Sequence, residues 1–273
     1  MSLRVAPGGV PGRVASRLRV VNDLVYPPVI ALAKTWFRVQ GFSVTVTGAE
    51  HIPRTGGAVL ASNHVSYLDF IFAGYAAHEV GRLTRFMAKE AVFRHRISGP
   101  LMRGMHHIPV DRAAGSASYR QALKALKAGE IVGVFPEATI SRSFTVKELK
   151  SGAVRMAQAS GTPLIPVAVW GGQRMFTTGR PKNLLARKRH ILVSVGEPIP
   201  VPKKGNADEL TDLLRQRLQA LLDDLQRRTP EQPQPGEDAW WHPAHLGGTA
   251  PTPEEARAAK AAEAEERESP EAI

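Results

Sequence analysis

Hydrophobic and polar positions change rhythm several times along the chain. Between 42 and 48, FSVTVTG alternates apolar and polar residues, the pattern of a strand with one face buried. A short apolar run, GAVLAS (57–62), follows and opens directly onto the pair Asn63-His64. YLDFIFAGYAA (67–77) reads as a buried helix and LTRFMAK (83–89) as a strand. In SASYRQALKALKAGE, Tyr119, Ala122, Leu123 and Leu126 share one helical stripe, which starts at a Ser116 or Ser118 cap and stops at Gly129. IVGVF (131–135) predicts another strand, SGAVRMAQAS (151–160) a helix, and PLIPVAVW (163–170) and HILVSVG (190–196) two further strands. An amphipathic helix from about Asp208 to Arg228 ends the series, its core stripe made of Leu210, Leu213, Leu214, Leu218, Leu221, Leu222 and Leu225.

Strands that alternate with helices over residues 42–228 predict one α/β domain, a sheet sandwiched by helices. There is no internal repeat. After Arg228 the chain turns rich in Pro and Gly, then in Ala and Glu. Residues 229–273 therefore read as a C-terminal tail, docked in part through Trp240 and Trp241 and otherwise disordered or loosely helical. Ahead of the domain, residues 20–42 are apolar but broken by Asn22, Asp23, Pro27, Pro28 and Lys34, too interrupted to span a bilayer. Within the N-terminal segment 1–41 they predict an amphipathic helix with Val29, Ile30, Leu32, Ala33, Trp36 and Phe37 on its apolar side. Such a helix either lies on a membrane or packs on the domain's own core.

Charge sharpens this picture. The chain carries 36 Lys and Arg against 25 Asp and Glu. The tail holds three of those bases and ten of the acids, which leaves 33 against 15 upstream. So basic a body attracts polyanions: nucleic acid, anionic lipid or phosphorylated substrates. Arg4, Arg13, Arg17 and Arg19 all precede the first acid, Asp23, a distribution suited to an anionic cytoplasmic leaflet. Residues 1–20 lack the apolar core and cleavage site of a secretory signal. With no cysteine, thiol catalysis, disulfides and thiolate metal sites are excluded.

Candidate chemistry narrows by elimination. The sequence has no G-x-S-x-G elbow, P-loop, G-x-G-x-x-G or H-E-x-x-H. Its close histidine sets, His106-His107 and His242 with His245, lack carboxylates at metal-like spacing. What stands out is His64 with Asp69 five residues on. A histidine acts as a general base when one ring nitrogen is free and a carboxylate fixes the other. At a strand-to-helix turn the two side chains can converge; the alternative is a histidine that merely ends a buried strand. Three more strand ends carry polar groups: Lys89 in MAK, Arg112 in IPVDR, and Glu137 in VFPEATISRS, with Thr139, Ser141 and Arg142 close behind. Ligands of open α/β sheets bind at the carboxyl ends of strands, so these groups would share one rim. Each also has a plain structural reading, such as an Arg112–Asp111 surface pair or a helix-capping Glu137.

In this order the segments resemble the 1-acylglycerol-3-phosphate acyltransferase family of glycerolipid acyltransferases. NHVSYLD looks like the family's N-H-x4-D block, GMHHIPVDR like its second block, FPEATIS like F-P-E-G-T-R-S, and LIPVAVWG like the fourth. ELKSGAVRMA is similar to the K-x-G-A segment, with Lys150, Gly152 and Ala153. The resemblance implies a single mixed sheet flanked by helices. It also implies His64 as base with Asp69 as its partner, and Lys89 and Arg112 as ligands of the acceptor phosphate. Glu137 with Thr139 would position the glycerol, and Ile165 and Pro166 would shape the region near the acyl donor. No cofactor or metal is implied; acyl-CoA or acyl carrier protein serves as co-substrate. The implied partners are a lysophospholipid acceptor and a membrane surface with anionic lipid, not nucleic acid. The implied location is the cytoplasmic face of the cell membrane, peripheral or monotopic. Two departures stand out: Ala138 replaces a glycine and Ile140 an arginine, with Arg142 as a candidate substitute. Ile140 leaves open glycerol-3-phosphate, another lysophospholipid or a lyso-ornithine lipid as acceptor. From a different class, the rival is a non-enzymatic basic binder of membrane or nucleic acid.

Overall fold

The computed structural model describes residues 23–111 and 115–268; Arg4, Arg13, Arg17, Arg19 and Arg112 lie outside the described residues. The first helix, α1 (Tyr26–Gln40), begins with Pro27 and Pro28 in its opening turn, where a missing amide hydrogen leaves no bond unmade. It ends at Gly41, whose φ of 67° is left-handed, and the Phe42 amide closes the turn on the Phe37 carbonyl at 2.8 Å. There follow β1 (Ser43–Thr47), β2 (Ala58–Ser62), α2 (Asp69–Glu79), β3 (Thr84–Lys89), α3 (Glu90–Arg94), α4 (Ser98–Gly104) and β4 (Ile108–Val110). The second half adds α5 (Gly115–Lys127), β5 (Ile131–Val134), α6 (Gly152–Ser160), β6 (Leu164–Trp170), β7 (His190–Val195), α7 (Ala207–Arg228) and α8 (Pro253–Glu268).

Among the described residues the strands form one seven-stranded sheet in the order β1-β7-β6-β2-β5-β3-β4. Every pairing is parallel except β6 with β7, so the sheet is mixed. β2 and β6 are buried at every position, which explains their unbroken apolar runs: both sheet faces are covered there. One face packs against α5, α6 and the Leu214, Leu218, Leu222 and Leu225 stripe of α7. The other packs against α2 and the Phe37 end of α1. α7 is capped by the Asn206 side chain, which accepts from the Asp208 amide at 3.0 Å, and is acidic in its first turn and basic in its last.

Of the two readings of α1, its packing favours the one in which it covers the domain's own core. The apolar side assigned to α1 does not face outward: Phe37 is buried with its ring stacked 5.5 Å from Phe72, Ala33 and Trp36 pack beside it, and Val29 and Ile30 join a cluster of Tyr26, Phe93 and Met102. Only Leu32 of that set points away, 70% exposed. The tail packs through its tryptophan segment. Ala239, Trp241 and Ala250 complete the α7 face of the core, with the Arg174 guanidinium 4.1 Å over the Trp241 ring and Arg180 4.7 Å over Trp240. The packed core thus continues past residue 228, and α8 follows.

Candidate active site

β2, β5, β3 and β4 are adjacent and parallel, so their carboxyl ends form one rim. β2 leads into residues 63–69. Asn63, fully buried, donates from Nδ2 to the Val169 carbonyl at 3.0 Å and accepts the Val169 amide on Oδ1 at 2.7 Å. The backbone is thereby free to turn while its strand stays attached to β6. The next residue is His64, whose Nδ1 lies 3.1 Å from Asp69 Oδ2. Asp69 opens α2 and is fully buried; the same oxygen accepts the amides of Val65 and Ser66, each at 2.8 Å. A carboxylate can only accept here, so it takes the Nδ1 proton of the imidazole and leaves Nε2 as the basic nitrogen. Burial pushes the Asp69 carboxyl up, against the pull of His64 and of the two amides. The His64 ring stacks on Phe135, centroids 4.3 Å apart, at the end of the neighbouring strand β5.

Phe135 begins the second turn of the rim. Glu137 is buried and accepts the His64 amide on one oxygen at 2.7 Å and the Lys147 amide on the other at 3.2 Å. Loss of hydration raises its carboxyl to about 7, opposed by those two amides and the Lys147 charge. Both oxygens being so engaged, Glu137 braces the His64 turn, a different arrangement from one that holds out free acceptors to a polyol. Ala138 follows with a φ of 61°, a left-handed conformation that glycine adopts more freely and that suits the glycine of the F-P-E-G-T-R-S pattern this segment resembles. The Ser141 amide then reaches back to the His64 carbonyl at 2.7 Å.

The sequence reading missed Lys147 and the bonds of Asn63. The Lys147 ammonium donates to the Thr139 carbonyl at 2.5 Å, the Thr139 hydroxyl at 2.6 Å and the Ile140 carbonyl at 3.2 Å. Desolvation lowers its pKa, with Lys260 of α8 acting in the same direction and Glu137 against it. Ile140, which lacks the expected cationic side chain, was itself the signal: a loop that gives up one cation invites a search for another. Lys150 is exposed, and its amide ties the loop to the Pro136 carbonyl at 3.0 Å.

The other expected residues are spread around this centre. Lys89 is exposed at the end of β3, in register with Val110 of β4, two residues short of Arg112. Arg142 is bound through both terminal nitrogens to Glu263 of α8, at 2.6 and 3.0 Å, so its charge is already matched. Ile165 and Pro166 lie inside β6, buried, with Ile165 part of the core and Pro166 in register with Ala61 of β2. They support the strand that carries His64 from below and present no surface to a donor. A groove of about 430 Å³ opens beside this rim, between α3, α4 and β4, with Phe93, Arg94, Arg103 and His106 in its wall; His64 does not line it. No group of metal-ligating side chains exists among the described residues.

An aspartate-backed histidine at the carboxyl ends of parallel strands, with Lys89 on the same rim, suits acyl transfer to an alcohol. A family model described as "Acyltransferase" matches residues 43–170. The chain is similar to the 1-acyl-sn-glycerol-3-phosphate acyltransferase of Bacillus subtilis (strain 168), with 33% identity over 189 residues that cover 67% of this chain and 89% of that one. Similarity extends to the protein of the same description from Borreliella burgdorferi, at 26% identity over 196 residues, 68% of this chain and 74% of that one. In fold it matches the crystal structure of the 1-acyl-sn-glycerophosphate acyltransferase PlsC from Thermotoga maritima, with a TM-score of 0.64 and 24% identity, over 75% of this chain and 81% of that one. The chain belongs to the 1-acyl-sn-glycerol-3-phosphate acyltransferase family.

Proposed function

We infer that the protein transfers a fatty acyl group from a thioester to the free sn-2 hydroxyl of 1-acylglycerol-3-phosphate, giving phosphatidic acid for phospholipid synthesis. The observation that carries this reading is the His64–Asp69 pair, its orientation fixed by a buried carboxylate at the carboxyl end of β2. His64 Nε2 takes the proton of the acceptor hydroxyl as its oxygen attacks the thioester carbonyl. A carbon–oxygen bond forms, the tetrahedral intermediate collapses, the carbon–sulfur bond breaks, and the thiolate leaves with the proton held by the imidazolium. Asp69 stabilises that imidazolium. No acyl-enzyme is needed, and every electron pair comes from hydroxyl, thioester and base.

Lys89 and Arg112 are the cations assigned to the acceptor phosphate, and most of their contribution is orientation of the hydroxyl. Glu137 and Thr139 act indirectly in this scheme: Glu137 through the His64 amide, and Thr139 through the loop that Lys147 ties down. The thioester is carried by coenzyme A or acyl carrier protein. Both substrates partition to membranes, and no helix among the described residues is long and apolar enough to cross one. In this reading the protein works at the cytoplasmic membrane face, held there peripherally through its basic surface. The relatives' common description favours the 1-acyl acceptor over glycerol-3-phosphate or a lyso-ornithine lipid. The test is acyl transfer from a labelled thioester to lysophosphatidic acid by wild type and His64→Ala. Transfer by wild type alone supports the reading; equal activity in the two, or none by wild type with any lipid acceptor, overturns it.

A further inference from the structure

The helical pair α3–α4 sits beside Lys89 and has two contrasting sides. Inward, Phe93 and Met102 are buried with Tyr26 and Met105. Outward, Ile97 is 74% exposed, Leu101 42% and Val92 38%. Ile97 and Leu101 are four residues apart at the start and middle of α4, the spacing of neighbours on one helix face. Leu24, another 74% exposed, belongs to the same neighbourhood. Its neighbour Val25 touches α4 so closely that a Cβ on Gly104 would fall 2.5 Å from a Val25 methyl. Its other neighbour, Asp23, shares the Arg85 guanidinium with the Met105 carbonyl. Two large aliphatic side chains about three-quarters exposed, with Leu101 and Val92 each more than a third exposed nearby, are more than scattered surface apolarity.

Charge surrounds them. Residues 89–103 hold four bases, Lys89, Arg94, Arg96 and Arg103, against the single acid Glu90. Exposed aliphatic side chains flanked along the chain by arginines, of which Arg94 is paired with Glu90 and Arg103 bonds the Phe93 carbonyl, match an anionic bilayer interface: the chains enter the acyl boundary and the guanidiniums stay among the headgroups. An acidic protein would match the charge but offers no fluid apolar layer for side chains that stand three-quarters free. We propose that α3–α4, together with Leu24, is the surface that docks the enzyme on anionic lipid. This rests on the lipid-acceptor reading and changes where the contact is made, since the inner face of α1 is spent on the core. Docking there brings Lys89, at the junction of β3 and α3, level with the phosphates of the interface. The acceptor then reaches the rim by a lateral move, its acyl chain still in the bilayer.

The test uses the full chain and two sets of variants, Ile97→Ser with Leu101→Ser, and Arg96→Glu, checked for folding by circular dichroism and melting temperature. Binding is measured by flotation with vesicles of phosphatidylcholine alone and of phosphatidylcholine with one quarter phosphatidylglycerol. Wild type is expected to prefer the anionic vesicles, the double serine variant to bind them at least about tenfold more weakly, and Arg96→Glu about fivefold more weakly. Activity on a short-chain lysophosphatidic acid kept below its micellar concentration should be unchanged in all of them, while activity on vesicle-borne acceptor falls with binding. Vesicle binding equal to wild type in both variants overturns the proposal, as does wild-type capture by acyl carrier protein without any binding to vesicles. Absence of transfer to the dispersed acceptor by wild type counts against the acyltransferase reading instead, and leaves the flotation result to decide the docking surface.

Discussion

Two turns leave adjacent strands of the same sheet and are held in opposite ways. The turn after β2 rests on one fully buried aspartate that gathers an imidazole and two amides on a single oxygen. The turn after β5 is a long loop that passes through two left-handed residues, Ala138 and Phe144, and depends on ties made at a distance: Glu137 to Lys147, Lys147 to Thr139, Arg142 to α8. The first turn aims one group in one direction. The second is a frame of polar bonds that can take side-chain changes at its tip provided the ties survive. The departures from the resembled family pattern fall on the second turn: the N-H-x4-D spacing is intact, while the loop carries Ala138 and Ile140.

If the first turn holds the chemistry, His64→Ala should lower kcat by about 10²–10⁴-fold with little change in melting temperature, because the ring is partly exposed. Steady-state rates on a dispersed acceptor and a thermal melt check both halves. Asp69→Asn should reduce kcat over a similar range, since a neutral amide oxygen can accept the same three bonds but cannot stabilise the imidazolium. It should also destabilise by about 1–3 kcal/mol, because its NH2 group would fall where the buried Oδ1 meets no bonding partner. An Asp69→Asn protein that keeps wild-type kcat would mean the carboxylate charge is not what supports the histidine.

The second turn is broken differently. Glu137→Gln has one acceptor where the native side chain uses two, so either the His64 or the Lys147 amide is left facing an NH2 group, for about 1–3 kcal/mol. This variant also isolates a pH effect. The folded carboxyl sits near 7 against an ordinary 4.5, so the folded state holds this proton more tightly than the unfolded chain. Its stabilisation is complete below about pH 4.5 and is lost as pH rises through 7. Denaturant midpoints between pH 5 and 8 should show the gap between wild type and Glu137→Gln widest at pH 5 and narrowing towards pH 8. The smallest effect belongs to Ala138→Gly. Relief of the left-handed strain, about 1 kcal/mol, is partly offset by the freer unfolded chain, so the melting temperature should rise slightly or stay put. A clear fall would mean the Ala138 methyl makes a packing contact worth more than the strain.

Much of the frame was legible in the sequence, because strand alternation and helical stripes follow directly from which faces are covered. The leucine stripe of α7 and the unbroken run of β6 are the plainest cases. The convergence of His64 and Asp69 was legible once a strand end and a helix start were placed around them. Three things were not. Periodicity shows that α1 has an apolar side but not what covers it, so Phe37 looked like a membrane contact until Phe72 was found against it. Ile165 and Pro166 were matched through a motif, and only the strand order reveals that they lie beneath the rim. Lys147 is ten residues from Glu137 in a loop with no periodicity, and nothing local indicates that its ammonium returns to Thr139.

The paired bonds of Asn63 have a consequence for motion. A strand that simply stopped at residue 62 would leave His64 on a tether, swinging with the nanosecond freedom of a surface loop. An amide side chain that both gives and takes a bond with Val169 adds one more rung to the ladder after the backbone has begun to leave it. His64 is then one peptide bond from the sheet, and its displacements should be the small ones of the central strands. The imidazole can wait for a mobile lipid substrate without drifting out of line, and the slowest amide exchange in the molecule should extend through Val169, up to the edge of the reacting histidine.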